Sequence, residues 1–276
     1  MNGRAQDAIH SLWDDLADFD VVDSDRAASH LMDVLCRIVG ASNATWGGAI
    51  RVGDTSVADP LQGWRVAAMK MLRPFETRAD DGPFREILKQ WDQRHVDPSF
   101  LLPLRDAGQF RTYAFQRDLP AAWFDSPFYR THYGAVGVHD AAYVAFPLNR
   151  DAESHFGFYA DRRLTEDDVA LLAYAMRGIK WFHRQLMLNA GALVASAPLT
   201  PTERKVLHML LTDATEKRIA EHLGVAASTV HQHVISIFRK FGVRSRAGLM
   251  SLWLSRASEE AGGGTVADPR PDASAV

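Results

Sequence analysis

Residues 225–241, "VAASTVHQHVISIFRKF", place Val230, Val234, Ile237 and Phe241 at steps of four, three and four. That spacing lines one face of a helix. The rest of the helix carries Thr229, His231, Gln232, His233, Ser236, Arg239 and Lys240, with no acid among them. Such a face is either simply solvated or meets something negative and rich in hydrogen-bonding groups, as nucleic acid is. A second concentration lies at residues 110–133, with eight aromatics: Phe110, Tyr113, Phe115, Trp123, Phe124, Phe128, Tyr129 and Tyr133. Ligand pockets are lined by aromatics with a few placed polar groups; ordinary core packing is the alternative. Catalytic spacing is missing: the chain has no G-x-S-x-G, no Gly-rich phosphate loop and no Cys/His metal pattern. His231 and His233 are two apart on a helix and point to different sides. The expectation is a non-enzyme with no cofactor, no catalytic residue and no metal.

Charge is distributed unevenly over the 276 residues, whose formal net charge is −3. Residues 199–253 hold eight Lys/Arg against four acids, while residues 1–198 hold 21 against 26. A basic segment joined to an acidic one is expected if one domain meets nucleic acid. The longest apolar run, "AAYVAFPL" at 141–148, is too short to span a bilayer. The first 20 residues carry acids where a signal peptide needs an apolar stretch. A cytoplasmic protein with no membrane contact is therefore expected. The single cysteine, Cys36, suits a reducing compartment and reads as a buried structural thiol.

The elements that must position these groups fall into four blocks: 1–188, a linker at 189–198, 199–254, and a Gly/Ala/Pro/Asp-rich tail at 255–276 that reads as disordered. In the first block "DRAASHLMDVLCRIVG", "WRVAAMKML" and "PFREILKQW" read as helices and "ATWGGAIRV" as a strand. "DAAYVAFPLN" and "SHFGFYAD" read as a hairpin around "RDAE". "LTEDDVALLAYAMRGIKWFHRQLML" reads as one long helix, with Thr165 as N-cap and Asp168 three residues on. In the third block, "LTPTERKVLHMLL" starts with Thr200 as cap, Pro201 in the first helical position and Glu203 to complete a capping box. "TEKRIAEHLGV" is a second, short helix ending at Gly224. The helix of residues 225–241 follows almost at once, which makes a helix-turn-helix.

The ordered pieces L-T-P-x-E-R-x-V-L, K-x-I-A-x-x-L-G-V, T-V-x-x-H-V-x-x-I-F-x-K and G-V-x-S-R resemble the DNA-binding domain of the LuxR/FixJ-type bacterial transcriptional regulators, over about one fifth of the chain. The resemblance implies an all-α four-helix domain that binds a double-stranded DNA operator. It implies DNA contacts for Lys217, Ser228, Thr229, Val230, His231, Gln232, His233, Lys240, Arg244 and Arg246. Val230 would reach a thymine methyl or the groove floor; Lys217, Lys240, Arg244 and Arg246 would touch phosphates. On that basis Val230→Glu should abolish operator binding and leave the fold intact. A fourth helix with Leu249 and Trp253 would make a homodimer contact, and RNA polymerase is a candidate partner. Three positions depart from the family: Ala226 replaces a Ser/Thr cap, His231 a frequent Lys, and Arg218 a common Glu.

The first block lacks the acidic cluster and alternating βα units of a phosphoacceptor receiver. Its order of elements resembles GAF/PAS-like sensor domains, including the autoinducer-binding domain of quorum-sensing regulators. That implies an α+β fold, an α-β-α sandwich around an antiparallel sheet, and a small-molecule effector. The candidate ligand residues are Trp91, Asp97, Tyr113, Trp123, Phe128, Tyr129 and Tyr133, although Trp91 and Asp97 stand closer together than in acyl-homoserine-lactone receptors. The alternatives are a ligand-free protein-binding or dimerisation domain, and more remotely an enzyme with an appended DNA-binding domain.

Overall fold

The computed structural model describes residues 3–51, 59–74, 83–192 and 199–250. Its helices are α1 (Gly3–Ala17), α2 (Ser24–Val39), α3 (Pro83–Asp92), α4 (Pro98–Leu101), α5 (Phe115–Asp118), α6 (Pro127–His132), α7 (Glu166–Arg177), α8 (Lys180–Asn189), α9 (Pro201–Leu210), α10 (Glu216–Leu223) and α11 (Ala227–Phe241). Its strands are β1 (Asn43–Arg51), β2 (Trp64–Met71), β3 (Arg111–Ala114), β4 (Asp140–Asn149) and β5 (Ala152–Ala160). The strands form one antiparallel sheet in the order β2-β1-β5-β4-β3. Among the described residues no helix is long and apolar enough to cross a membrane.

Both faces of the sheet are covered. On one face Phe156, Phe158, Val144 and Trp46 pack with Leu31, Leu35, Leu172 and Phe182 from α2, α7 and α8. On the other, Tyr113, Ala141, Ala145 and Tyr159 pack with Ile87, Phe100, Phe115, Trp123 and Tyr133 from α3–α6 and their connections. The result is the expected α-β-α sandwich. Double burial explains why β4 reads as a nearly continuous apolar run rather than an alternating one. The β4–β5 hairpin turns at Arg150–Asp151, where the Asn149 side chain accepts from Asp151 N–H at 2.8 Å. Buried Asp140 opens β4 and accepts from the backbone N–H groups of Ala141, Gln116 and Leu164, tying the sheet to α5 and to the entry of α7.

Two expected helices are corrected. Trp64–Met71 forms the edge strand β2. Pairing of Gly48 with Ala68 and of Ala49 with Val66 leaves Ala67 unopposed, a β-bulge. The extra residue lets Val66 and Met69, three apart, reach the same cavity, so a strand acquires helix-like spacing. The long helix after Thr165 breaks into α7 and α8 at Gly178 and Ile179. Trp13 of α1 lies against the break: a Cβ on Gly178 would come within 2.5 Å of its ring, and its indole N–H donates to Ala175 C=O at 2.9 Å. The Thr165–Asp168 capping box is present in full.

The sheet glycines set the room on the α3–α6 side. A Cβ on Gly157 would lie 2.5 Å from Tyr143 Cε1, and that ring is stacked on Tyr113 with centroids 4.8 Å apart. Gly157→Ala should therefore destabilise the protein by about 1–3 kcal/mol. Thermal or urea unfolding measures it, and an unchanged midpoint would contradict this packing.

Candidate functional site

Residues 199–249 share a third cluster of buried side chains, with Val206, Leu207, Leu210, Ile219, Val234, Ile237 and Phe241 at its centre. Thr200 caps α9, and its capping box with Glu203 is complete. Thr215 caps α10 by accepting from Arg218 N–H at 3.3 Å; with Arg218 in place of a carboxylate, the reciprocal bond is missing. Gly224 follows at φ 65°, the left-handed turn that glycine adopts freely, and its N–H returns to the end of α10. α11 then starts at Ala227 with Ala226 as its N-cap and no side-chain cap bond. Ser228 is inside the helix and does not replace the missing cap.

One carboxylate locks α9 to α11. Buried Glu203 accepts from Thr200 N–H and Lys240 Nζ on Oε2, both at 2.7 Å, and from Ser236 Oγ on Oε1, also at 2.7 Å. Burial alone would raise its pKa; the bonds from Lys240, Thr200 and Ser236 outweigh that and hold it at about 2.

The outward side of α11 presents Ser228, Thr229, His231 and Gln232, all exposed, followed by exposed Ile235 and Arg239. Lys217 on α10 and Arg244 after α11 are exposed as well, and His233 is half-buried. Val230 is corrected: it is 0 % exposed and sits in the shared core, so it cannot reach a groove while the domain is folded. A glutamate there would bury a charge and unfold the domain rather than spare the fold. Lys240 points inward to Glu203 instead of outward to phosphate. Arg246 donates to the C=O groups of Leu210, Thr212 and Ala214, closing the C-terminal end of α9. Leu249, expected at a dimer contact, is 0 % exposed within its own cluster. Trp253 and the 255–276 tail lie outside the described residues, as does most of the 189–198 linker. Exposed Ile235 and Arg239 share this outward side and were not among the expected site residues. An isoleucine directly after Val234 and off the buried stripe is the signal for the first, since it cannot share the core face.

The second site is a cavity of about 160 Å³ between the sheet and α3–α6. Trp91, Tyr113 and Tyr133 line it, as do Ile87, Phe100 and Phe115. Trp123, Phe128 and Tyr129 stand behind it: Trp123 packs edge-on to Phe115 at 5.0 Å, Phe128 on Phe100 at 5.6 Å, and Tyr129 Oη donates to Val138 C=O at 3.1 Å. Asp97 is placed outside the lining. Its Oδ1 accepts from Ser99 N–H at 2.9 Å, Ser99 Oγ at 2.6 Å and Trp123 Nε1 at 2.9 Å, so it caps α4 and anchors Trp123. Sequence patterns did not single out the sheet-borne lining, which includes Thr45, Gly47, Tyr143, His155, Gly157 and Tyr159. Glycines inside strands signal such close approach or open space.

The cavity's polar groups form two chains. Tyr159 Oη is 3.0 Å from Thr45 Oγ1 and 3.2 Å from Tyr143 Oη. Tyr113 Oη is 3.3 Å from His155 Nδ1, His155 Nε2 is 3.0 Å from Glu153, and Glu153 receives both Arg111 nitrogens at 2.8–2.9 Å. Burial pushes the tyrosine hydroxyls up, Tyr159 to about 12, so they remain neutral. Burial would also raise Glu153, but His155, Arg111 and Gly108 N–H pull it down to about 2. Trp91 Nε1 differs from these: it is buried with no hydrogen-bond partner among the described residues.

Comparison with known proteins places the helical part. The family model "Bacterial regulatory proteins, luxR family" matches residues 197–253. Transcriptional regulatory protein MctR of Rhizobium johnstonii is 38 % identical over 55 residues, 20 % of this chain and 26 % of MctR. Spore germination protein GerE of Bacillus subtilis is 39 % identical over 49 residues, 18 % of this chain and 66 % of GerE. The chain thus covers less than two thirds of either relative. Among solved structures, Escherichia coli SdiA aligns over 91 % of this chain and 96 % of its own, at 12 % identity and a TM-score of 0.44.

The Glu203 contacts give a pH dependence with a definite sign. Its pKa falls on folding, so the stabilisation is complete above the ordinary 4.5 and is lost as pH falls from there towards 2. Glu203→Gln should cost about 3 kcal/mol at pH 7 by removing the buried carboxylate charge that Lys240, Thr200 and Ser236 bind, and it should flatten the stability profile between pH 4.5 and 2. Denaturant unfolding across that range checks both.

Proposed function

Since residues 197–253 match the luxR family of bacterial regulatory proteins and α10 and α11 form a helix-turn-helix within them, we propose that the chain is a DNA-binding transcriptional regulator whose first 188 residues sense a small molecule. The observation that carries DNA binding is the division of α11. Val230, Val234, Ile237 and Phe241 are buried, and Ser228, Thr229, His231 and Gln232 are exposed at the opposite side, near the helix start. In a helix-turn-helix that end of the second helix meets base edges. Lys217 and Arg244 are the exposed cations suited to phosphate. Two copies would read half-sites about one helical turn apart, and contact with RNA polymerase belongs to the same proposal. Sensing is supported by the lined cavity and by the buried indole N–H of Trp91, which has no acceptor among the described residues.

Two substitutions test the halves separately. Ser228 is exposed in the first turn of α11, where an acid suits the helix dipole. Ser228→Glu should keep the unfolding midpoint and weaken binding to duplex DNA at least tenfold, through repulsion from phosphate. Anisotropy titration with the full chain measures this, and undiminished binding would refute the assigned face. Gly47 lines the cavity, and a Cβ there meets nothing within 4 Å. Gly47→Val should fill open space, keep or raise stability, and remove any small-molecule mass that native mass spectrometry finds on the full chain purified from cells. A wild-type chain that carries no added mass and binds nothing from a metabolite extract would count against sensing.

A further inference from the structure

His231 and Glu216 make a bond between the two helices of the motif. His231 Nδ1 is 3.1 Å from Glu216 Oε2, and the pair joins the first residue of α10 to the fifth residue of α11. The side chains are 56 % and 40 % exposed, so the bond is at the surface that would face DNA. An ionised carboxylate only accepts. The hydrogen of the bond must therefore sit on Nδ1. In a neutral imidazole that leaves a lone pair on Nε2, across the ring from Glu216. Among the described residues Nε2 has no protein hydrogen bond of its own. An exposed acceptor near the start of α11 is a base-reading group of definite polarity. In the major groove the donors are cytosine N4 and adenine N6, while guanine and thymine present acceptors.

We propose that His231 is a specificity-determining residue that accepts, through Nε2, from the amine of a cytosine or adenine, and that Glu216 is its positioning residue. The inference rests on the DNA-binding reading above. Glu216 acts by holding the hydrogen on Nδ1. Without it either ring nitrogen can carry the hydrogen, and Nε2 can donate to guanine or thymine as readily as it accepts. Neighbouring Gln232 offers both donors and an acceptor and has no such fixed polarity.

The test is selection from a randomised duplex pool by the full chain at pH 8, above the ordinary range of imidazole titration. The wild type should enrich adenine or cytosine over guanine or thymine about fivefold or more at one position of each half-site. Glu216→Ala should bring that ratio to within about twofold of unity at this position alone. His231→Phe should erase the preference at the same position. A purely structural role for the pair would lower stability or overall affinity and leave the base ratios alone. A wild-type motif unchanged by both substitutions overturns the proposal by itself. A wild type that retains no duplex overturns the DNA-binding reading and this inference with it.

Discussion

A central sheet covered on both faces forces the side chains of β4 and β5, short of exposed Asn149 at the turn, into one core or the other. The two cores resolve this differently. On the α2, α7 and α8 side, Phe156, Phe158 and Phe182 meet aliphatic side chains. On the α3–α6 side the same strands offer Tyr143, Tyr159 and His155 with Gly157, and β1 offers Thr45 and Gly47. Small residues open room, and hydroxyls must then find partners, because an unpaired buried polar group costs about 1–3 kcal/mol. The Thr45–Tyr159–Tyr143 and Tyr113–His155–Glu153–Arg111 chains meet that requirement within the protein. The buried Arg111–Glu153 ion pair, which also takes Gly108 N–H, adjoins the cavity through His155.

The helical domain shows the same economy with charge. Lys240 and Arg246 sit on surfaces that a helix wheel would assign to solvent or DNA, yet each closes a gap left by helix ends. Lys240 balances the carboxylate that completes the cap of α9, and Arg246 takes the carbonyls where α9 stops. Helix termini leave several backbone groups without partners, and in so small a domain long cations reach them more easily than water does. What remains outward on α11 is then mostly uncharged and hydrogen-bonding. On the DNA-binding reading proposed above, this favours reading bases over merely holding phosphates, with exposed Lys217 and Arg244, and Arg239 on α11 itself, as the cations suited to the backbone.

Caps and turns were legible in the chain because their chemistry is local. Thr165 with Asp168, Thr200 with Glu203, and Gly224 need only neighbours within four residues. The four-three-four stripe of α11 was legible for the same reason. Its membership fixes that Val230 is inside: a residue on the buried stripe cannot also be the one that touches the groove. Lys240 and Arg246 were not legible, since their partners lie 32 to 37 residues away. The strand β2 hid behind its bulge, which replaced alternation with a spacing of three.

The cavity marks the limit of pattern reading more sharply. Aromatic density at 110–133 pointed to the right side of the sheet, but it did not separate Tyr113 and Tyr133, which line the space, from Trp123 and Phe128, which support it. That distinction depends on where the opposite wall stops, and the wall is set by Gly47 and Gly157, more than 60 and 20 residues away in either direction. The same remoteness explains Asp97. Its Oδ1 accepts from Ser99 and from Trp123, 26 residues on. An acid that holds an indole and a helix start with one oxygen is a girder for the cavity wall, while Trp91 lines the space with an N–H that has no partner among the described residues.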